Sequence, residues 1–75
     1  MNLDDQQFLR ELGRRLRQRR LERKWTQAEL ARRCALHRTF IGSVERGERN
    51  LSILNLRLIA RTLRVSLTDF FNDLS

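Results

Sequence analysis

The chain reads as all-α, a single domain of five helices, on three observations. Proline is absent and the three glycines are scattered. Apolar residues recur close to the ~3.6-residue period of an amphipathic helix along almost the whole length. Twice a hydroxyl residue stands three places before an acid at the start of such a run, Thr26 before Glu29 and Ser66 before Asp69, the pattern of a capping box. No repeat, low-complexity tract or linker divides residues 1–75.

The first helix is expected to start near Asp4 and Asp5, acids suited to the positive end of a helix dipole. Leu9, Leu12 and Leu16 form its apolar stripe, with Phe8 beside them. Four residues further the stripe reaches Arg20. A charge on a buried stripe needs a partner, because breaking a buried ion pair costs roughly 3–5 kcal/mol. Glu45 is the candidate partner; the alternative is that Arg20 snorkels to solvent. The run Arg14, Arg15, Arg17, Arg19, Arg20, Arg23 and Lys24 reads first as a solvated face, from which Arg17 or Arg23 could reach a phosphate. Trp25, just ahead of the Thr26 cap, is expected in the core rather than as a stacking platform.

The second helix opens on Thr26 and turns Leu30, Ala31 and Cys34 inward. Free cysteine in such a place is a small buried hydrophobe. Apolar spacing restarts after a break at Ala35–His37, with Leu36, Ile41 and Val44. Two short helices joined this way form a helix-turn-helix over residues 26–46. In that geometry the second helix enters the DNA major groove and its early residues meet base edges. Arg38 and Thr39 occupy that first turn, with Ser43 one turn further on. Arg38 can give paired hydrogen bonds to guanine, worth about 1–3 kcal/mol of discrimination, and Thr39 can meet a thymine methyl or a base edge. Phe40 fits either a half-buried spacer or a contact to sugar or thymine methyl. Arg46 ends the same helix and belongs with the DNA-facing set. His37 starts it as a poor cap. Gly42 costs about 1 kcal/mol inside a helix; close approach of the backbone to DNA is one use for it, and the sequence settles none.

Gly47 is placed to end this helix in a left-handed conformation. After the loop Glu48–Leu51, Ser52 caps a fourth helix. Its free backbone N–H groups, with Arg49, Asn50 and Ser52, make a phosphate seat. The fourth helix carries Leu56, Ile59, Ala60 and Leu63 on one stripe, with Leu54, Leu58 and Arg61 beside it. The fifth places Leu67, Phe70, Phe71 and Leu74 on one face. Together these exceed what a small core covers. They predict either a core lid or a homodimer through about residues 53–75, with Leu54, Leu58, Leu67, Phe70, Phe71 and Leu74 as the interface set; the interface is favoured, with one phenylalanine serving as lid and the other in the interface.

The formal charge is +7, from sixteen basic residues of which only Lys24 is lysine. That is the footprint of a polyanion binder, although charge alone does not choose among DNA, RNA and an anionic membrane. A chain this short buries only about 60% of its unfolded surface, so a partner subunit is the expected support. One cysteine allows no internal disulfide, and no spacing suggests a metal, cofactor or small-molecule site. No signal peptide and no apolar run near ~18 residues is present, which predicts a cytoplasmic protein with no membrane partner. No nucleophile–base pair or phosphate loop points to an enzyme.

Residues 12–63 resemble the helix-turn-helix family of phage repressors and related bacterial regulators. The resemblance lies in Thr26-Gln27-x-x-Leu30-Ala31, Ile41, Val44-Glu45-Arg46-Gly47 and the run Leu54 to Leu63. Arg38-Thr39-Phe40-Ile41, with Glu45-Arg46-Gly47-Glu48-Arg49-Asn50-Leu51-Ser52, resembles more narrowly the controller proteins of restriction–modification operons. The resemblance implies a repressor-like homodimer reading a pseudo-palindromic operator in double-stranded DNA. It further implies the Arg20–Glu45 pair, a phosphate clamp at Gln27 and DNA contacts at Arg49 and Asn50. The regulated promoters would be the protein's own and that of a restriction endonuclease. Ala35 departs from the glycine frequent in the family, and a turn needing positive φ would cost alanine more. A different class of reading is an antitoxin-like or other small stand-alone repressor whose C-terminal helix binds a partner protein.

Overall fold

The computed structural model describes residues 3–74, and these contain five α-helices. They are α1 (Asp5–Glu22), α2 (Gln27–Cys34), α3 (Arg38–Glu45), α4 (Ile53–Leu63) and α5 (Leu67–Phe71). α3 packs against both α2 and α1, α4 lies on α2, and α5 returns to α1. Helix starts follow local chemistry. Asp4 accepts from the Gln7 N–H at 2.7 Å while the Gln7 side chain accepts from the Asp4 N–H at 3.2 Å, a complete capping box where the sequence shows only an acidic start. Thr26 accepts from the Glu29 N–H at 3.0 Å, but Glu29 does not reach back among the described hydrogen bonds. Its carboxylate is held by Arg32 at 2.9 Å and Arg33 at 3.0 Å instead. The expected box is therefore half formed. Ser66 likewise accepts from Asp69 at 3.1 Å without a return bond, and His37 gives no side-chain cap at all.

Left-handed residues end several helices. Ala35 stands at φ 56°, ψ 39°, and the next N–H, of Leu36, returns to the Ala31 carbonyl at 2.8 Å. The turn between α2 and α3 thus does need positive φ, and alanine supplies it despite its Cβ. Gly47, at φ 74°, closes α3 as expected, with the Glu48 N–H donating to the Ser43 carbonyl at 2.9 Å. A Cβ on Gly47 would also stand 2.6 Å from the Arg10 Cα, so this turn lies flat on α1. Gly13 does the same work for the helices themselves. A Cβ there would come within 2.6 Å of the Glu45 carbonyl oxygen, so α1 and α3 cross backbone to backbone at this point.

The core comprises Leu12, Leu16, Leu30, Ala31, Cys34, Ile41, Val44, Leu56, Ile59, Ala60, Leu63, Phe70 and Leu74. Phe8 packs against its edge and stacks on Phe71 with centroids 6.2 Å apart, whereas Leu9, expected on the inner stripe of α1, is half-buried and outside the core cluster. Two members of the expected dimer face lie inside the protomer, Phe70 as the expected core lid and Leu74 against expectation. Phe70 is 1% exposed and Leu74 is buried, both covered by their own chain. Phe70 is the inward residue of α5, whereas Leu74 lies beyond the helix's end at Phe71 and enters the core after Asp73 turns the chain at φ 62°. Arg15 fastens this short helix by donating to the carbonyls of Phe70, at 2.9 Å, and Asn72. Of the remaining members, Leu54 is 70% exposed, while Leu58, Leu67 and Phe71 are half-buried. Ile53, outside that expected set, is 63% exposed beside Leu54.

Candidate nucleic-acid interface

The interface begins with what fixes α3 in place. Arg20 Nε donates to Glu45 Oε2 at 2.7 Å and its Nη2 to Oε1 at 3.0 Å, a two-pronged pair in which the side chains are 7% and 3% exposed. The third nitrogen, Nη1, donates to the Trp25 carbonyl at 2.7 Å. One guanidinium therefore ties the end of α1 to the end of α3 and to the strand of chain entering α2. Arg20 does not snorkel. Such a planar fork suits a fixed, desolvated geometry that lysine could not reproduce.

With the back of α3 anchored, its first turn faces solvent. Arg38 and Thr39 are exposed and make no side-chain hydrogen bond or ion pair among the described residues. They are free to meet a partner. Phe40 is half-buried and lies under the Arg49 guanidinium, 5.2 Å from it. Ser43, expected to project from this face, is half-buried and donates back to the Phe40 carbonyl at 2.8 Å. Its oxygen also accepts from Arg49 Nε at 3.4 Å. Asn50 and Ser52 are exposed, and Ser52 accepts from the Asn55 N–H at 3.1 Å, which opens α4. Arg46 is exposed and paired to Glu48 at 3.0 Å.

Gln27 has two neighbours that the sequence did not reveal. Its Nε2 donates to Glu45 Oε1 at 3.1 Å, so the same carboxylate that binds Arg20 also sets the start of α2. Its Oε1 lies 3.3 Å from where a Cβ on Gly42 would stand, and Arg46 Nη1 lies 3.2 Å from that point on α3. Gly42 thus makes room for protein side chains at the α2–α3 junction. No local pattern signals this, because a helical glycine looks the same in sequence whatever it faces. Gly13 was missed for the same reason.

The flanking basic residues divide by what they already touch. Arg23 Nε donates to the Leu63 carbonyl at 3.0 Å and its guanidinium lies 5.2 Å from the half-buried Trp25 ring, which Arg33 approaches at 4.3 Å. Trp25 packs against the core as expected and is also occupied by cations. Arg17 is exposed and has no ion pair among the described residues. On the outer surface the Arg14 guanidinium bound to Glu11, and the Arg32 guanidinium bound to Glu29, hold those carboxyls below the ordinary value of 4.5. Burial pushes the Cys34 thiol up, with a hydrogen bond to Thr62 working the other way. Between His37 and Ser52 the acids are Glu45, turned inward, and Glu48. Groups of three or more potential metal ligands do not occur among the described residues, nor does a helix long and apolar enough to cross a membrane.

An exposed arginine–threonine pair on the leading turn of a short helix, braced from behind, is the arrangement of a groove-reading helix-turn-helix. Residues 16–70 match the helix-turn-helix family. The chain is 41% identical over 61 residues to the control protein C.BamHI of Bacillus amyloliquefaciens, covering 80% of this chain and 75% of that one. Among solved structures, the restriction–modification controller protein C.AhdI of Aeromonas hydrophila superposes with a TM-score of 0.81 at 36% identity, covering 84% of this chain and 96% of that one. The controller protein C.Esp1396I, solved as a tetramer in complex with its natural 35-base-pair operator, superposes with a TM-score of 0.79 at 40% identity, covering 89% and 88%. The chain belongs to the helix-turn-helix family, within its group of restriction–modification controller proteins.

Proposed function

We propose that this protein is a sequence-specific regulator of transcription that binds a pseudo-palindromic operator in double-stranded DNA as a homodimer, and that it controls a restriction–modification operon including its own promoter. The observation that carries the reading is the solvent-facing Arg38 and Thr39 on an α3 whose rear is locked by the Arg20–Glu45 pair. Arg38 reads guanine and Thr39 reads a neighbouring base. Gln27, Arg46, Arg49, Asn50 and Ser52 meet phosphates on either side, and Phe40 supports Arg49 from below. Ser43 serves as a buttress of this face through its bonds to Phe40 and Arg49. The second copy docks on the segment 53–75 through Leu54, Leu58, Leu67 and Phe71, joined by Ile53. An exposed apolar pair on a chain of only 75 residues supports that face. Two-fold docking would set the recognition helices about 34 Å apart, one turn of the duplex.

Footprinting on the DNA upstream of the protein's own gene tests the reading, followed by binding assays on the protected duplex and a scrambled one. Arg38→Ala should lose about 1–3 kcal/mol on the protected duplex and little on the scrambled one. Arg49→Ala should weaken both by similar factors. Equal losses on both duplexes for Arg38→Ala would remove the base-reading role.

A further inference from the structure

The two arginines at the far end of α3 are not equally available to DNA. Arg49 lies on the Phe40 ring and against Ser43, contacts that leave its charge uncompensated. Arg46 Nε instead donates to the Glu48 carboxylate at 3.0 Å. The pairing is built into the turn. Gly47 takes positive φ, its N–H returns to the Val44 carbonyl at 3.0 Å, and the Glu48 N–H returns to the Ser43 carbonyl at 2.9 Å. That turn sets Glu48 two residues beyond Arg46, with both side chains still well exposed at 59% and 58%. Gly42 contributes from the other side, because a larger residue there would press on Arg46 Nη1 at 3.2 Å.

We infer that Glu48 is an affinity-limiting residue, whose carboxylate competes with DNA phosphate for the Arg46 guanidinium. The inference rests on the DNA-binding reading above. An exposed pair is weakly held, so a phosphate can displace the carboxylate. When it does, Glu48 is left ionised beside the backbone and gathers a cation from solution. Net counterion release then falls by about one for that contact. The attenuation acts on every duplex alike, since phosphates carry no sequence. It contrasts with the Arg20–Glu45 pair, whose burial makes it a fixed brace that DNA cannot reach.

The test is a double-variant cycle on the full chain with a random-sequence duplex, read by fluorescence anisotropy across a salt series. Glu48→Gln keeps the shape and removes the charge. It should tighten binding by about three- to tenfold at low salt and steepen the slope of log affinity against log salt by about 0.9. In an Arg46→Gln background the same change should have less than about twofold effect, since only direct repulsion of phosphate by Glu48 remains. An equal gain in both backgrounds, or no gain in either, overturns the inference while leaving DNA binding intact. Failure of the unaltered protein to bind any duplex overturns the DNA-binding reading itself, and this inference with it.

Discussion

Replacing Arg20 by methionine is the most informative single change to the fold. It deletes both hydrogen bonds to Glu45 and the one to the Trp25 carbonyl. Glu45, 3% exposed in its side chain, keeps only the Gln27 amide at 3.1 Å. Removing one partner of a buried pair costs roughly 3–5 kcal/mol, most of it the desolvated charge left behind. A 75-residue domain has roughly 4–11 kcal/mol in total at typical per-residue stability, so this loss brings it near the unfolding threshold. Urea melts followed by far-ultraviolet circular dichroism would measure it, at one fixed protein concentration because dimerisation adds to apparent stability. The double variant Arg20→Met/Glu45→Leu should recover most of the loss, because an apolar pair of similar volume is typically neutral or stabilising by about 1–4 kcal/mol relative to the ion pair. A cost under about 1 kcal/mol for Arg20→Met, or a double variant no better than the single, would refute the assignment of the pair as the buried brace of α3.

Three further outcomes follow from the same geometry. Gly13→Ala should destabilise by about 1–3 kcal/mol in thermal melts despite alanine's higher helix propensity, because its Cβ would stand 2.6 Å from the Glu45 carbonyl oxygen; a neutral or raised melting temperature would mean that α1 and α3 can part without cost. Ala35→Gly should stabilise by about 0.5–1 kcal/mol, since glycine enters the φ 56° turn without a Cβ clash, and a loss of stability would count against that strain. The lowered carboxyls of Glu11 and Glu29 favour the folded state when ionised. Their contribution is therefore present above about pH 4.5 and lost as the pH falls through the lower folded-state values. A melting temperature that declines below pH 4.5, and declines less in Glu11→Gln/Glu29→Gln at low salt, is the expected result; an identical decline in the variant would place the acid sensitivity elsewhere.

Much of the fold and part of the interface could be read from residue order, for identifiable reasons. A lone arginine continuing the stripe of Leu9, Leu12 and Leu16 demands a partner, and the family resemblance points to Glu45. Ser52 and Thr26 announced helix starts because a hydroxyl oxygen reaching an N–H three residues on is a local event. Choices among competing partners were less visible. Glu29 had Thr26, Arg32 and Arg33 within reach and took the two guanidiniums, leaving its box half formed. Ser43 could face DNA or bond back to its own helix, and it bonds back. Phe70 and Phe71 are adjacent, so periodicity alone could not say which of them enters the core. Tertiary approach was invisible altogether at Gly13 and Gly42, where the significance lies in what stands opposite.

On the proposed function, α3 reads sequence in double-stranded DNA from a symmetric pair of protomers. A duplex enriched from a randomised pool by repeated selection on the purified protein, compared with its scrambled counterpart at physiological salt, tests it most directly. The expected result is an enriched sequence with two inverted half-sites about one helical turn apart, bound about 10³-fold or more tightly than the scramble. Equal affinity for the two duplexes, or enrichment of sequences with no inverted symmetry, would contradict it.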